Sequence, residues 1–158
     1  MYEPIRTKSV HTMAAAPEIP HRSREEELDI RLAGQLTALL TVTDELHALA
    51  RRQDARPAGD PGAGPALDTA ALDAAALADA ADRIAEQVAR LSGGHHPLRA
   101  EPSDAGSPSR AAALQQRART LAGNALAVAT SRGDAAVIAL TAERMEAHTG
   151  PVRDLASA

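Results

Sequence analysis

The chain has 158 residues, of which 44% are hydrophobic but only 1% aromatic, and its formal net charge at pH 7 is −4. This length allows one domain and is too short for two independent cores. The lack of cysteine excludes disulfides, thiolate metal sites and cysteine nucleophiles. No apolar run is long enough to cross a bilayer or to resemble a signal peptide, so we expect a single cytoplasmic domain.

The hydrophobic content is mostly alanine and leucine. Leucine, isoleucine and valine together make up 28 residues, and phenylalanine and tryptophan are absent. A buried leucine contributes about 1.5–3 kcal/mol to folding and a buried alanine much less. Such a core is marginal for a monomer, and we therefore predict self-association as a homodimer.

Residues 1–22 show no sustained period, and three prolines interrupt them. This composition predicts an extended or disordered N-terminal arm. Its first ten residues, MYEPIRTKSV, contain the only tyrosine and the only lysine of the chain. The arm is either an unstructured end or a segment that binds another protein or subunit. The contacts in the second case are Tyr2, Ile5, Arg6 and Lys8.

A capping box at Ser23 and Glu26 predicts that the first helix covers residues 24–55. Acidic residues crowd its first turns and arginines its last, which matches the helix dipole. Its apolar positions recur at spacings of 4, 4, 3, 4, 3 and 4, a heptad-like stripe. The stripe consists of Leu28, Leu32, Leu36, Leu39, Thr43, Leu46 and Ala50.

After a linker rich in proline and glycine, a second helix is predicted over residues 67–91, starting near Leu67 or Asp68. Gly93 follows its last turn, where a left-handed residue commonly ends a helix. The loop over residues 93–107 exceeds the 2–8 residues usual in helical bundles. We therefore predict that this loop is mobile or functional.

The third helix is predicted over residues 108–131 and the fourth over residues 135–148, with Pro108 and Asp134 at their starts. Residues 151–158 form a C-terminal tail. The core positions predicted for the third helix are Leu114, Ala118, Leu121, Ala125 and Val128. The fold class is therefore all-α: an antiparallel four-helix bundle, heptad-patterned and rich in alanine and leucine, over residues 23–150.

Two groups of residues could hold a metal ion. His95 and His96 are adjacent in a loop, with a carboxylate nearby at Glu101 or Asp104, but adjacent imidazoles diverge and loops support a site loosely. The segment from Asp44 to His47 supplies only half of a two-metal bundle signature. We therefore predict no metal or cofactor. No nucleophile, base and orienting partner share a predicted inner face, so we expect no enzymatic activity.

The third helix carries a basic strip with no acidic residue between positions 109 and 132. The strip consists of Arg110, Arg117, Arg119 and Arg132. It could contact nucleic acid, or it could pair with the acidic early half of the second helix or with another subunit. Ala129 and Gly133 also match the spacing of a helix-turn-helix. The acidic fourth helix and the acidic chain disfavour DNA binding.

These patterns favour a non-enzymatic interaction or scaffold protein that binds itself and an unknown protein partner. One alternative is a bundle that binds a small ligand or a metal, with residues 93–107 over an apolar cleft. A second alternative is a nucleic-acid accessory protein that uses the third helix.

Overall fold

The structure is a computed structural model that describes residues 21–57, 72–103 and 108–149. This part of the chain contains α1 (Arg24–Asp54), α2 (Ala74–Leu91), α3 (Pro108–Arg132) and α4 (Ala135–Ala147), and it contains no strand. The predicted all-α class is confirmed. None of the helices in these ranges has the length and hydropathy needed to cross a membrane.

The capping residues of α1 and α2 determine where these helices begin and end. The Glu26 N–H donates to Ser23 Oγ at 3.1 Å, and the Ser23 N–H donates to Glu26 Oε2 at 2.8 Å, so both halves of the predicted capping box are present. At the end of α2, Gly93 and Gly94 have positive φ angles of 67° and 91°. The Gly94 N–H then donates to the Ala89 carbonyl, and the helix ends as predicted.

The start of α2 differs from the prediction. The Asp73 carboxylate accepts hydrogen bonds from the Ala75 and Ala76 N–H groups at 2.9 and 3.2 Å. Asp73 is therefore the N-cap, and the helix begins at Ala74 rather than near Leu67 or Asp68. Leu67 and Asp68 themselves lie outside the described residues.

Ion pairs give the directions of the helices. Arg110, at the start of α3, pairs with Glu45 near the end of α1, at 3.2 Å. Arg132, at the end of α3, pairs with Asp29 near the start of α1, at 2.7 Å. These two helices pack against each other, and the pairs show that they are antiparallel.

The same reasoning applies to α2 and α4. Arg83 pairs with Glu143 at 2.9 Å, and Arg90 pairs with Asp134 at 2.5 Å, so these two helices are also antiparallel. The end of α1 adjoins the start of α2, where their residues line one cleft. Both α2 and α3 therefore run opposite to α1 and parallel to each other.

This arrangement explains the length of the connection between α2 and α3. Because the two helices are parallel, the chain must return along the bundle before α3 can begin. Residues 95–103, which we name the crossover segment, are described and contain no helix. A crossover connection of this kind is a known variant of the four-helix bundle.

The core combines leucines of α1 and alanines of α3 with buried apolar residues of α2 and α4. Leu32, Leu36, Leu39 and Leu46 are fully inaccessible to solvent. On α3 the inaccessible residues are Ala118, Ala122, Ala125 and Ala129, whereas the predicted core residues Leu114, Leu121 and Val128 are only partly buried. The stripe predicted for α3 was therefore wrong in part: its centre is an alanine seam, which allows close approach of the neighbouring helices.

The start of α4 provides a test of the local interactions. Asp134 accepts a hydrogen bond from the Val137 N–H at 3.2 Å and also pairs with Arg90. We expect Asp134→Ala to lower the free energy of unfolding by about 1 kcal/mol, because both interactions are lost. Asp134→Asn keeps the cap, and its free energy of unfolding in urea denaturation is expected to fall by only a few tenths of a kcal/mol. Equal losses in the two variants would show that the ion pair, and not the cap, matters.

Candidate functional site

A cluster of polar side chains forms where the crossover segment passes over α1. The Arg99 guanidinium donates from two nitrogens to the Asp44 carboxylate, with Nε at 3.0 Å from Oδ2, and from a third nitrogen to Asp82 on α2 at 3.1 Å. Asp44 is only 7% exposed. The hydrogen bond with Asp44 raises the pKa of Arg99 more than burial lowers it, so the guanidinium stays charged. One arginine thus joins the crossover segment to two helices.

A second anchor lies four residues later along the crossover segment. The N–H and the hydroxyl of Ser103 donate to the Glu45 carboxylate at 2.9 and 3.1 Å, and Arg110 donates to both Glu45 and the Ser103 hydroxyl. Arg52 donates to the Ser103 carbonyl at 2.9 Å. Burial acts to raise the pKa of Glu45, but the hydrogen bonds from Ser103 and Arg110 together hold it below its usual value.

These contacts fasten the crossover segment across α1. The Glu45 carboxylate accepts its hydrogen bonds from Ser103 and Arg110, which favours its ionised, acceptor-only state. The Asp44 carboxylate accepts its hydrogen bonds from Arg99. The prediction of a mobile loop over residues 93–107 did not anticipate these contacts. Asp44, considered above with His47 as half of a metal signature, instead holds the crossover segment together with Glu45.

Limited proteolysis can test this anchoring role. Asp44→Ala removes the bidentate partner of Arg99, and we expect a loss of about 1 kcal/mol of stability because Arg99 is partly exposed and keeps Asp82. We also expect faster tryptic cleavage after Arg99, since local release exposes that bond. The matched control is Asp79→Ala, which breaks only an exposed ion pair to Arg83 within α2. If both variants are cleaved at the wild-type rate, Asp44 does not anchor the segment.

The structure divides the predicted basic strip. Arg110 and Arg132 pair with Glu45 and Asp29 of α1, whereas Arg117 and Arg119 are exposed. The predicted pairing with the early half of α2 is therefore wrong for Arg110 and Arg132, which face α1. The cause is the antiparallel alignment of α3 with α1, which brings Arg110 beside Glu45 and Arg132 beside Asp29.

The helix-turn-helix alternative requires a free surface on α4. Glu143 is instead paired with Arg83 of α2, and Arg144 is buried and donates to Glu143 at 3.0 Å. The turn before α4 does have the predicted glycine, since Gly133 has a φ angle of 73°. The turn therefore has the backbone conformation expected of a helix-turn-helix. Part of α4, which would be the recognition helix, packs within the bundle instead.

The described histidines lie on different elements of the fold. His95 and His96 are exposed at the start of the crossover segment, as is Glu101 further along it, and Asp104 lies outside the described residues. His47 is half-buried on α1. Among the described residues, no three histidine or carboxylate side chains are grouped as the ligands of a metal ion would be.

An open cleft of about 480 Å³ lies where α1 ends and α2 begins. Its polar lining comes from His47, Arg51 and Asp54, and alanines of both helices complete it. The predicted ligand cleft was placed under residues 93–107, whereas this one lies between the end of α1 and the start of α2.

The outward side of α1 is unusual because it lacks charge. Ile30, Gly34, Thr37 and Thr41 follow spacings of 4, 3 and 4, and at about 100° per residue they share one narrow sector opposite the core leucines. We name these four residues the open face of α1. No charged residue occurs between Arg31 and Asp44.

The details of the open face are consistent with a contact surface. Ile30 is 53% exposed, and Gly34 and Thr41 are also exposed. The hydroxyls of Thr37 and Thr41 donate to the carbonyls of Ala33 and Thr37, at 2.8 and 3.1 Å. These bonds satisfy the hydroxyl donors within the helix. A solvated helix face normally carries charged side chains, and these four positions carry none.

The residues predicted to bind a partner through the N-terminal arm are Tyr2, Ile5, Arg6 and Lys8. All four lie outside the described residues, and their role stays a prediction.

The chain is an all-α bundle in which hydrogen bonds and ion pairs hold the crossover segment against α1, and the open face of α1 carries no charge. Comparison with protein-family models, with curated proteins and with solved structures gave no match. The sequence did not identify Arg99, Ser103 or the open face as features of interest. The signals available in the sequence were the length of the loop over residues 93–107, for the crossover segment, and the absence of charge from Leu32 to Thr43, for the open face.

Proposed function

We propose that the chain is a non-enzymatic, cytoplasmic interaction protein that self-associates as a homodimer through its helical bundle. The open face of α1 is the observation that supports this proposal. It repeats the heptad spacing of the core stripe on the opposite side of the same helix, which is the pattern of a helix that packs on two sides. A second copy of the chain would cover that face.

The charges of the bundle support an interaction role more than a role with nucleic acid. Two of the four arginines in the basic strip are bound to carboxylates of α1, so phosphate contacts would require breaking these pairs. The two remaining arginines, Arg117 and Arg119, are few cations for phosphate binding in a chain with a net charge of −4.

The mass of the full-length protein in solution tests the proposal. Multi-angle light scattering and sedimentation velocity are expected to show a mass twice the 16.4 kDa of one chain, with dissociation on dilution. A mass of 16.4 kDa that persists over a wide concentration range would contradict self-association.

The N-terminal arm is the competing contact within the same proposal. The double variant Tyr2→Ala/Ile5→Ala removes its apolar anchors without changing its charge. If dimerisation uses the bundle, this variant keeps the wild-type mass. A monomeric double variant would place the contact in the arm instead.

A further inference from the structure

We propose that the end of α4 is an acid-sensitive latch: protonation of His148 releases residues 144–149 from α3 while the rest of the bundle stays folded. These residues, which we name the latch, comprise the last turn of α4, its C-cap His148 and Thr149. The opening does not depend on the proposed self-association. It gives the bundle a second surface that is uncovered by acid.

The ion pairs between α4 and α2 lie before the latch. Asp134, the N-cap of α4, pairs with Arg90 at 2.5 Å, and Glu143 pairs with Arg83 at 2.9 Å. Beyond Glu143, α4 is held by its packing against α3. The start and the middle of α4 are therefore fastened independently of His148, and the latch can open without them.

The hydrogen bonding of His148 has no place for a second proton. The ring is 7% exposed, and its Nδ1 lies 2.5 Å from Oε1 of Gln115 on α3. Because an amide oxygen accepts, Nδ1 carries the proton of the neutral ring, and a second proton must go to Nε2. Nε2 is buried and has no hydrogen-bond partner in the described part of the chain. Protonation in the closed bundle would therefore create a buried donor without an acceptor.

Arg144 adds a positive charge near the ring. It lies one turn before His148 on the same side of α4 and is only 8% exposed. Its guanidinium donates to Glu143 at 3.0 Å, while its Nε is buried without a hydrogen-bond partner among the described residues. Burial and the charge of Arg144 together lower the pKa of His148 to about 4. Two cations on one buried turn repel each other, and opening of the latch brings both into water.

Among the described residues, no carboxylate acts on the ring to offset this repulsion. The carboxylates of α4 nearest to it in sequence, Glu143 and Glu146, are exposed. The charged groups of α2 and α3 at the level of the latch are paired with other side chains or exposed to solvent. They are Asp79, Asp82 and Arg83 of α2 and Arg110, Arg117 and Arg119 of α3, with Glu45 of α1 bound to Arg110. Protonated His148 therefore gains no ion pair in the closed form.

Opening of the latch breaks the hydrogen bonds of a single helical turn. The His148 N–H donates to the Arg144 carbonyl at 3.1 Å, and the Thr149 N–H donates to the Glu146 carbonyl at 3.0 Å. The end of a helix opens with a smaller free energy than the core of a bundle. Local release is therefore the easiest way for the protein to place a proton on His148.

The pKa values of the two forms set the size of the effect. In the open latch His148 takes up a proton with its usual pKa of 6.5, whereas in the closed latch it does so only near pH 4. The equilibrium constant for opening is therefore expected to rise by about 20-fold between pH 7 and pH 5.

Amide hydrogen exchange of the full-length protein, followed by NMR at one protein concentration, tests the latch. Protection factors, which correct for the pH dependence of intrinsic exchange, are compared between the latch amides and the core amides of α1. We expect the latch amides to lose about 20-fold in protection from pH 7 to pH 5. Global stability also falls with acid, and low concentrations of urea separate the two kinds of opening. A local opening exposes little surface and hardly responds to urea, whereas exchange through global unfolding accelerates.

The matched variants are His148→Gln and His47→Gln. Glutamine cannot be protonated in this range, so latch protection in His148→Gln is expected to change by less than about twofold between pH 7 and pH 5. His47 is half-buried on α1, outside the latch, and His47→Gln is expected to keep the wild-type loss. The wild-type measurement decides the question even where a variant does not fold.

Three results would overturn the latch. The first is equal protection of the latch amides at pH 7 and pH 5 in the wild type. The second is exchange of the latch amides with the same free energy and the same response to urea as the α1 amides, because α4 would then open only with the whole bundle. The third is an equal loss of protection in the wild type and in His148→Gln, which would assign the pH response to other groups.

Discussion

Replacing Ala125 by leucine is expected to lower the free energy of unfolding by about 1–3 kcal/mol, despite the added hydrophobic surface. Ala125 is fully inaccessible, as are the other alanines of the seam on α3. Since α3 packs against both α1 and α4, three extra carbon atoms have no free volume to enter. The larger side chain must therefore push the helices apart or adopt a strained rotamer.

The control for this variant is Ala127→Leu, two residues further along α3 and exposed to solvent. Its stability is expected to stay within about 0.5 kcal/mol of the wild type. Urea denaturation at one fixed protein concentration measures both variants, so that the proposed dimerisation does not distort the comparison. Wild-type stability in Ala125→Leu would show that the seam contains unfilled space.

The alanine seam also shows where hydropathy is a poor guide to a core. In α3 the sequence offers alanine on almost every side, so the pattern predicts the leucines at 114 and 121 as part of the inner stripe. Leucine, however, fills wide gaps, and the closest helix contacts require the smallest side chains. The inner positions are therefore the alanines, with the leucines along their edges. Periodicity alone cannot separate these two registers when both consist of apolar residues.

Local signals in the sequence were sufficient for most helix boundaries. The box at Ser23 and Glu26, Gly93 after α2 and Asp134 before α4 each act within one turn, and the structure has all three. The start of α2 was misplaced because Asp68 and Asp73 are both good caps and the alanines between them suit a helix. The choice between equivalent caps depends on contacts outside the local sequence.

Features that depend on the order of helices could not be predicted. Asp44 and Arg99 are 55 residues apart, and Arg110 and Glu45 are 65 apart. Nothing in the composition of residues 93–107 indicates which helix they cross. The unusual length of this loop was visible, but its cause, the parallel direction of α2 and α3, follows only from the assembled bundle.

Acidification from pH 7 to pH 5 is expected to remove about 2 kcal/mol of stability through His148 alone. Burial, with a smaller effect from the positive charge of Arg144, lowers the pKa of His148 from 6.5 to about 4. The imidazole is 7% exposed, its Nδ1 lies 2.5 Å from Oε1 of Gln115, and its Nε2 is buried without a hydrogen-bond partner in the described part of the chain. A second proton would therefore have to be placed on a buried atom close to a guanidinium.

The direction of the pH effect on stability follows from the pKa values of His148 in the unfolded and folded states. The unfolded state takes up a proton near pH 6.5 while the folded state does not until about pH 4, so the contribution is full above pH 6.5. The contribution of His148 declines as the pH falls, and about 3 kcal/mol of stability has been lost near pH 4. Carboxylates such as Glu45, whose pKa is lowered, add their own losses only at lower pH. The interval from pH 7 to pH 5 therefore lies above the range in which Glu45 titrates in the folded state.

Urea denaturation of the wild type and of His148→Gln at several pH values measures this contribution. Glutamine cannot be protonated in this range, so the stability of the variant is expected to be nearly flat between pH 7 and pH 5, while that of the wild type falls. The imidazole signals of His148 in NMR should also show no titration above pH 5. Parallel stability curves for the two proteins, or a His148 signal that titrates near pH 6.5, would mean that the ring is reached by water and can be protonated in the folded bundle.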